Sequence, residues 1–340
     1  NTMPYTTGLY DNAAQLGLAM AQGPRDPVIY GSATSVKLSR SFCVMGGFRY
    51  RGHYTRAMVP AFAMASKIAT VAPEGLGAER SNCKESWYAA FACANNGDTS
   101  AVVKTMPFLR VGSVDGNVIT LNKAGEGVHD VAAQTYDWSA NDNLAGVECL
   151  VISEGGQWSG RVAHIVANTS TSITLDDAGS LSFGAFLLPA PPGFAHFCYL
   201  APFYLDTHEV RNIYDTGTEV VSRGIYIMHP QTNGTTANAG VTLDCSGYIS
   251  PLATGVRMDS TCVMSTAAVG PYAEYFSPDS GNHEVRTNYD LKDNAGSRSF
   301  VFGGISLAFL YPQHFNFKTA GVLSTARSVG HIAPTGWYEP

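Results

Sequence analysis

The chain has 340 residues, 45% of them hydrophobic, which is enough to bury a large core and excludes wholesale disorder. Only 14% are charged, 21 Lys and Arg against 27 Asp and Glu, and the densest basic group is the loose cluster Arg49, Arg51 and Arg56. A net charge of −6 with no basic run excludes a phosphate-neutralising face, so no nucleic-acid partner is expected.

In chain order, residues 1–50 read as an N-terminal arm or assembly segment. Nothing at its start has the charged, apolar and cleavage-site order of a signal peptide. Two stretches read as helical: 12–21, Ala/Leu-rich after the potential N-cap Asp11, and 56–70, Ala/Met-rich but interrupted by Pro60. Short β-rich runs dominate the rest: 108–111, 118–121, 147–152, 162–166, 173–175, 197–204 and 220–228, punctuated by Gly, Asn, Asp and Ser. The most apolar windows, 56–73 and 185–202, carry Lys67 or repeated Pro, so no membrane insertion is expected.

One internal echo stands out. Residues 110–125 (RVGSVDGNVITLNKAG) and 161–179 (RVAHIVANTSTSITLDDAG) share Arg-Val, an Asn, Ile-Thr-Leu and Ala-Gly, the second copy being three residues longer. Alternating Val and Ile broken by Asp-Gly-Asn or Asn-Thr-Ser-Thr is a hairpin pattern. Two such hairpins define a module over 106–189 that ends at a proline-rich exit. Its flanks, SWYAAFACANNGDTS (86–100) and 188–217, are aromatic strands that resemble each other in composition and not the module. The expectation is therefore an all-β protein: an antiparallel, jelly-roll-like β-sandwich formed discontinuously by 51–105 with 190–340, carrying 106–189 as an inserted small β-barrel or hairpin module, with little helix.

The stretch GLGAERSNCKESWYAAFACANNGD (75–98), the turn Pro192-Gly193 followed by the aromatic strand from Phe194, and the run Ile249 to Asp259 resemble, in that order, landmarks of tailed-bacteriophage virion proteins of the tail and fibre type. In those proteins the last landmark is a Pro-containing loop leading into an edge strand. The resemblance covers more than half of the chain, discontinuously, and its motifs are structural. It implies an antiparallel sandwich and a virion structural role, and it implies no catalytic residues.

Chemistry-bearing motifs are sparse. No nucleophile elbow, H-E-x-x-H, Walker A, dinucleotide or EF-hand pattern occurs, so no catalytic residue, cofactor or metal is expected. Asp206-Thr-His208-Glu209 is the densest polar group and reads as a solvated strand end. The carboxylates a glycosidase would need (Glu148, Glu154, Asp176, Asp177, Asp206, Glu209) show no pairing. Asp176 and Asp177 are neighbours in a turn and are expected to face opposite ways. Seven cysteines without CxxC spacing read as free, mostly buried thiols; the rival is an exported protein with disulfides, Cys83 and Cys93 being the pair closest in sequence. Trp138 and Trp158 lie in Gly/Ser/Asn-rich stretches of the module, where they either cap its small core or form part of a ligand face. His229 and Asn233 fall in a polar segment, 229–240, that reads as a contact loop. Trp138, Trp158, His229 and Asn233 are the candidate contact residues.

The expected function is that of a virion structural protein, a tail, fibre or decoration component. Its expected partners are copies of itself, other virion proteins and a host surface glycan. Low charge fits surface hidden in a symmetric assembly. The alternatives are a secreted or cell-surface bacterial β-protein that self-assembles into a filament, and a carbohydrate-active enzyme.

Overall fold

In a computed structural model, the described residues are 28–32, 35–38, 42–50, 53–57, 60–65, 68–70, 86–121, 143–153, 159–169, 171–181, 185–206, 209–210, 213–215, 219–222, 229–234, 241–244, 248–265, 269–276, 285–288, 297–308, 313–322 and 327–338. These residues form strands and turns with no helix, so the fold is all-β. The chain divides into two compact units, 1–154 with 159–220, and 155–158 with 221–339.

The framework of the first unit is a sheet in the order Glu209–Val210, His196–Asp206, Ser86–Ala94, Ser100–Pro107, Ala61–Met64, Phe42–Val44. Its two longest strands are buried on both faces from Trp87 to Ala94 and from Phe197 to Tyr204, which is why they read as unbroken apolar runs rather than as alternation. The turn between Ser86–Ala94 and Ser100–Pro107 is Asn95-Asn96-Gly97-Asp98, closed by the Asp98 N–H on the Asn95 carbonyl at 3.2 Å with Gly97 at φ +89°. One face carries Phe91, Phe197 and Tyr199, joined edge to face with Phe48 (Phe48–Phe197 centroids 5.0 Å, Phe91–Tyr199 5.9 Å). The other carries Ala90, Ala92, Ala94, Cys198 and Ala201, with Tyr88 stacked on Phe203. The chain leaving Phe42–Val44 runs on to Gly47, which bridges Cys198 in parallel, so the first strand of the framework also touches its far side.

Phe42–Val44 pairs with Ala61–Met64, and Val28–Ser32 pairs with both Ser35–Leu38 and Ile213–Asp215. Residues expected in an N-terminal arm thus contribute paired strands. The helix expected over 56–70 is replaced by Ala61–Met64 and Ile68–Thr70, because Pro60 interrupts a helical ladder and the strand partners Phe42–Val44 and Ser100–Pro107 override the Ala/Met propensity. The 12–21 helix lies outside the described residues.

Between the framework strands Ser100–Pro107 and His196–Asp206 sits a closed six-stranded barrel in the order Leu109–Asp115, Val118–Leu121, Ser172–Leu175, Ser159–Asn168, Glu148–Ser153, Phe186–Pro189. Its pairing registers reveal an internal two-fold. Val111 faces Leu121 with a bulge before Ser113; Ile165 faces Leu175 with a bulge before Ala167. The two hairpins are therefore equal in length, and Val111 corresponds to Ile165. The Arg-Val match that made the second copy seem three residues longer is out of structural register. Ile119 pairs with Ile173 and Leu150 with Leu188, each opposite its own equivalent, so the pseudo-dyad passes through both contacts. The loop bonds obey it too: the Val111 N–H donates to Ala185 as Ile165 does to Val147, and Leu175 donates to Asn117 as Leu121 does to Thr171. One turn is made by Gly116 at φ +57°. The other is made by the Thr169 hydroxyl, which accepts the Thr171 and Ser172 N–H groups at 3.2 and 3.1 Å.

The two ends of this axis differ. Glu148–Ser153 and Phe186–Pro189 bury the side chains of both faces from Cys149 to Ile152 and from Phe186 to Pro189, and Phe186–Pro189 lies against the framework strand Ser100–Pro107. At the opposite end Val118–Leu121 and Ser172–Leu175 bury only alternate residues. The barrel is thus seated by its Leu150/Leu188 end and presents its Ile119/Ile173 end.

The second unit is built on Gly255–Ser265, flanked by Ser297–Ala308 and Arg327–Tyr338, with His229–Gly234 on the far side of the latter. A four-stranded sheet runs Val241–Asp244, His314–Val322, Val269–Phe276, Val285–Asn288. Gly255–Ser265 pairs on both sides, so the loop from Ile249 leads into a central strand and not the expected edge strand. Gln313, buried at φ +61°, donates its side-chain amide to the Ile249 carbonyl and holds that loop.

Because Ile119 and Ile173 occupy equivalent, fully buried places on the dyad, Ile119→Ala and Ile173→Ala should destabilise the protein by similar amounts, about 2 to 5 kcal/mol each. Urea unfolding of the two variants checks this; costs differing by more than about 2 kcal/mol would contradict the symmetric core.

Candidate functional site

The densest polar group among the described side chains lies where the barrel meets the framework. Gly46 and Gly47 allow it. A Cβ on Gly46 would stand 2.5 Å from the Tyr54 ring, and one on Gly47 (φ +76°) 2.7 Å from the Thr55 hydroxyl. The hairpin through Arg49–Tyr50 and His53–Tyr54 therefore folds tightly back, and the Arg56 N–H donates to the Gly46 carbonyl at 3.0 Å. This aims the Arg56 side chain at the barrel.

There the Nε/Nη2 edge of its guanidinium grips the Glu148 carboxylate: Nε lies 3.0 Å from both oxygens and Nη2 2.7 Å from Oε1. Nη1 donates to the Ala195 carbonyl at 3.1 Å, and the plane lies over Phe197 with 4.4 Å to the ring centroid. Fork, backbone acceptor and aromatic face together suit arginine and not lysine. The pair is partly shielded, with 32% of the Arg56 and 19% of the Glu148 side chain exposed.

The rest of the cluster comes from two turns. Asn95 accepts the Ala195 N–H at 2.9 Å and donates to the Gly193 carbonyl, tying the framework turn to the barrel's exit. The Asp98 carboxylate accepts the Asn95 N–H at 2.6 Å. His196 places Nε2 2.8 Å from the Asn96 side-chain oxygen and lays its ring against Phe62. Burial, and then the positive field of Arg56, hold its pKa below the usual histidine range.

A second polar group closes the barrel hairpin at Ser172–Leu175. Asp176 accepts the His164 N–H at 2.9 Å and faces its ring at 3.3 Å, and these bonds hold its exposed carboxyl below the usual range. Asp177 accepts the Gly179 N–H and reaches Arg161, whose guanidinium also donates to the Asp177 carbonyl. The two carboxylates serve different partners and do not converge. Among the described residues no three His, Cys, Asp or Glu side chains gather to hold a metal.

Of the residues predicted from sequence, Glu148 proves to be a structural anchor, held by Arg56 from 92 positions away. His229 and Asn233 lie in the strand His229–Gly234, paired with Ile332 and Ser328; this corrects the contact loop expected there, because the facing strand Arg327–Tyr338 supplies ladder partners that a polar sequence conceals. Trp138, Trp158, Glu154, His208, Cys83 and residues 235–240 lie outside the described residues. Cys43, Cys93, Cys149 and Cys198 are buried thiols, and burial drives the Cys149 thiol far above its usual pKa. Sequence reading missed the clamp itself; Arg56 stood out only as part of the loose basic cluster with Arg49 and Arg51.

No family model and no curated protein matches the chain. Among solved structures it is similar to one described as "Structure of infectious bursal disease virus Gt strain", with 12% identity over 78% of this chain and 74% of that chain. The TM-score is 0.18, too low for the likeness to bear on fold or function.

Two outcomes are expected of the cluster. Glu148→Ala should cost about 1.5 to 3 kcal/mol by denaturant unfolding, and Arg56→Lys should recover little of the wild-type value, since the ammonium offers no fork. Because the folded pKa of His196 lies below its unfolded value of about 6.5, the unfolded chain takes up the proton first. Its contribution is complete above that pH and is lost as pH falls below it. Unfolding midpoints measured between about pH 7 and pH 5 should drop less in His196→Gln than in the wild type; parallel curves would contradict this.

Proposed function

We propose that the chain is a structural protein of a virus particle, and more specifically a tail, fibre or decoration component of a tailed phage that associates with copies of itself. The observation that carries this reading is the mounted barrel, a symmetric module clamped to a doubly buried sheet by one end and exposed at the other. Ser113, Val118, Thr120, Val166, Ser172 and Thr174 point outward around the exposed end, with Val118 44% and Val166 56% exposed. A rigid face of β-branched and hydroxyl side chains, with Asp115 beside Val118 as its charged member, suits a contact surface whose partner is equally low in charge, as a second virion subunit of 14% charge would be. No catalytic role is assigned. The four buried thiols agree with synthesis in a reducing cell before assembly.

Light scattering of the purified chain at micromolar concentration should show a stable oligomer, and Val118→Lys with Val166→Lys should shift it toward the 36.2 kDa monomer without unfolding it. A label on the barrel should then appear at a fixed, symmetric position on intact particles in electron micrographs. A stable wild-type monomer, absent from particles, would overturn the reading.

A further inference from the structure

The turn Asn95-Asn96-Gly97-Asp98 holds a combination that the clamp does not use. Asn96 is exposed and is followed by glycine, so no side chain at position 97 shields the backbone nitrogen between them. A Cβ placed on Gly97 would meet nothing within 4 Å, so this side of the turn opens into free space. The Asn96 side-chain oxygen receives the His196 Nε2 at 2.8 Å. An amide oxygen accepts only, so Nε2 carries the proton and the ring donates to that carbonyl.

We propose that Asn96 is a self-modification site, at which its side-chain amide is converted to a carboxylate through a cyclic imide formed with the backbone nitrogen of Gly97. Gly97 N gives its proton to a solvent base, and its electron pair attacks the Asn96 side-chain carbonyl carbon. Charge gathers on the oxygen that His196 faces, and the donated hydrogen bond stabilises it as an oxyanion donor does. The tetrahedral centre collapses, the C–N bond to the side-chain nitrogen breaks, and ammonia leaves with a proton taken from water. Water then adds to either imide carbonyl and opens the ring to an aspartyl or isoaspartyl residue. The sum is amide plus water to acid plus ammonia, with no change of oxidation state. The product sets a negative charge beside His196, whose pKa burial and the positive field of Arg56 now hold down, so it would favour the imidazolium and alter the charge balance where the barrel is clamped.

The sequence carries its own control. Asn233-Gly234 is the same dipeptide, but both residues sit in the strand His229–Gly234, paired with Ser328 and Arg327. Ladder pairing holds that backbone extended and keeps the glycine nitrogen from turning onto the side chain.

The test is incubation of the full folded chain at mildly alkaline pH, followed by peptide mapping that separates aspartyl from isoaspartyl products. Asn96 should convert at least about tenfold faster than Asn233, His196→Phe should slow it by about tenfold, and His196→Gln, which restores an amide donor, should recover most of the rate. Conversion at Asn96 no faster than at Asn233 in the wild type would overturn the proposal without recourse to any variant. So would equal rates in wild type, His196→Phe and His196→Gln.

Discussion

The position of the barrel depends on one ion pair. Seated strands bury apolar area on both faces of Glu148–Ser153 and Phe186–Pro189, but burial is non-directional and does not by itself choose an angle of approach. The grip of Arg56 on Glu148 does, because a planar fork meets a carboxylate in a narrow range of geometries. Its setting removes the usual objection to surface pairs. Phe197 flattens one side of the guanidinium, the Ala195 carbonyl takes a further donor, and the hairpin fixed by Gly46 and Gly47 limits the rotamers to be frozen. The same pair explains why the framework tolerates two glycines at 46 and 47. A side chain at either would push away the hairpin that delivers Arg56.

The pseudo-two-fold gives the barrel two chemically different poles from one repeated pattern. At the Leu150/Leu188 end the strands bury residues on both faces, and Phe186–Pro189 lies against the framework strand Ser100–Pro107. At the Ile119/Ile173 end they keep a strict alternation, apolar inward and Ser, Thr or Val outward. Symmetric strands thus serve both seating and presentation, and the difference lies in side chains and not in backbone. The two hairpin turns differ in chemistry: Gly116 at φ +57° makes one, and the Thr169 and Ser172 hydroxyls hold the other.

What could be read from sequence follows from the range of the interactions. Alternation and turn chemistry are local, so the barrel hairpins, the Asn-Gly turn and the aromatic strands were legible, and the all-β class with them. The echo was visible, yet its register was misjudged. Arg110 and Arg161 look equivalent as letters, while the bulges that set the pairing, before Ser113 and Ala167, leave no mark in composition. The helix expected over 56–70 failed for a related reason: propensity is weak beside strand partners that become neighbours only through the fold. The polar strand His229–Gly234 and the clamp were invisible because their partners lie about 100 positions away in each case, at Arg327–Tyr338 and at Glu148.

The way the barrel is inserted accounts for how such a chain can fold and change. The strands that lead into and out of it, Ser100–Pro107 and His196–Asp206, lie on either side of Ser86–Ala94, but Pro107 faces Tyr88 and His196 faces Ala94, so the chain leaves and returns at points about 20 Å apart along that strand. The barrel's own ends lie close together, since Leu109 pairs with Leu187. Because the barrel's own ends meet, it can close whether or not the host strands have paired, and residues 190–195 span the return to the framework. Replacement of the exposed pole would leave both the closure and the Arg56 clamp in place. Replacement of Glu148 would leave the exposed pole intact but loosen its orientation, with the Asn95 tie and the apolar seat remaining. Seat and exposed pole are therefore encoded at opposite ends of one small domain, and sequence change at one end need not disturb the other.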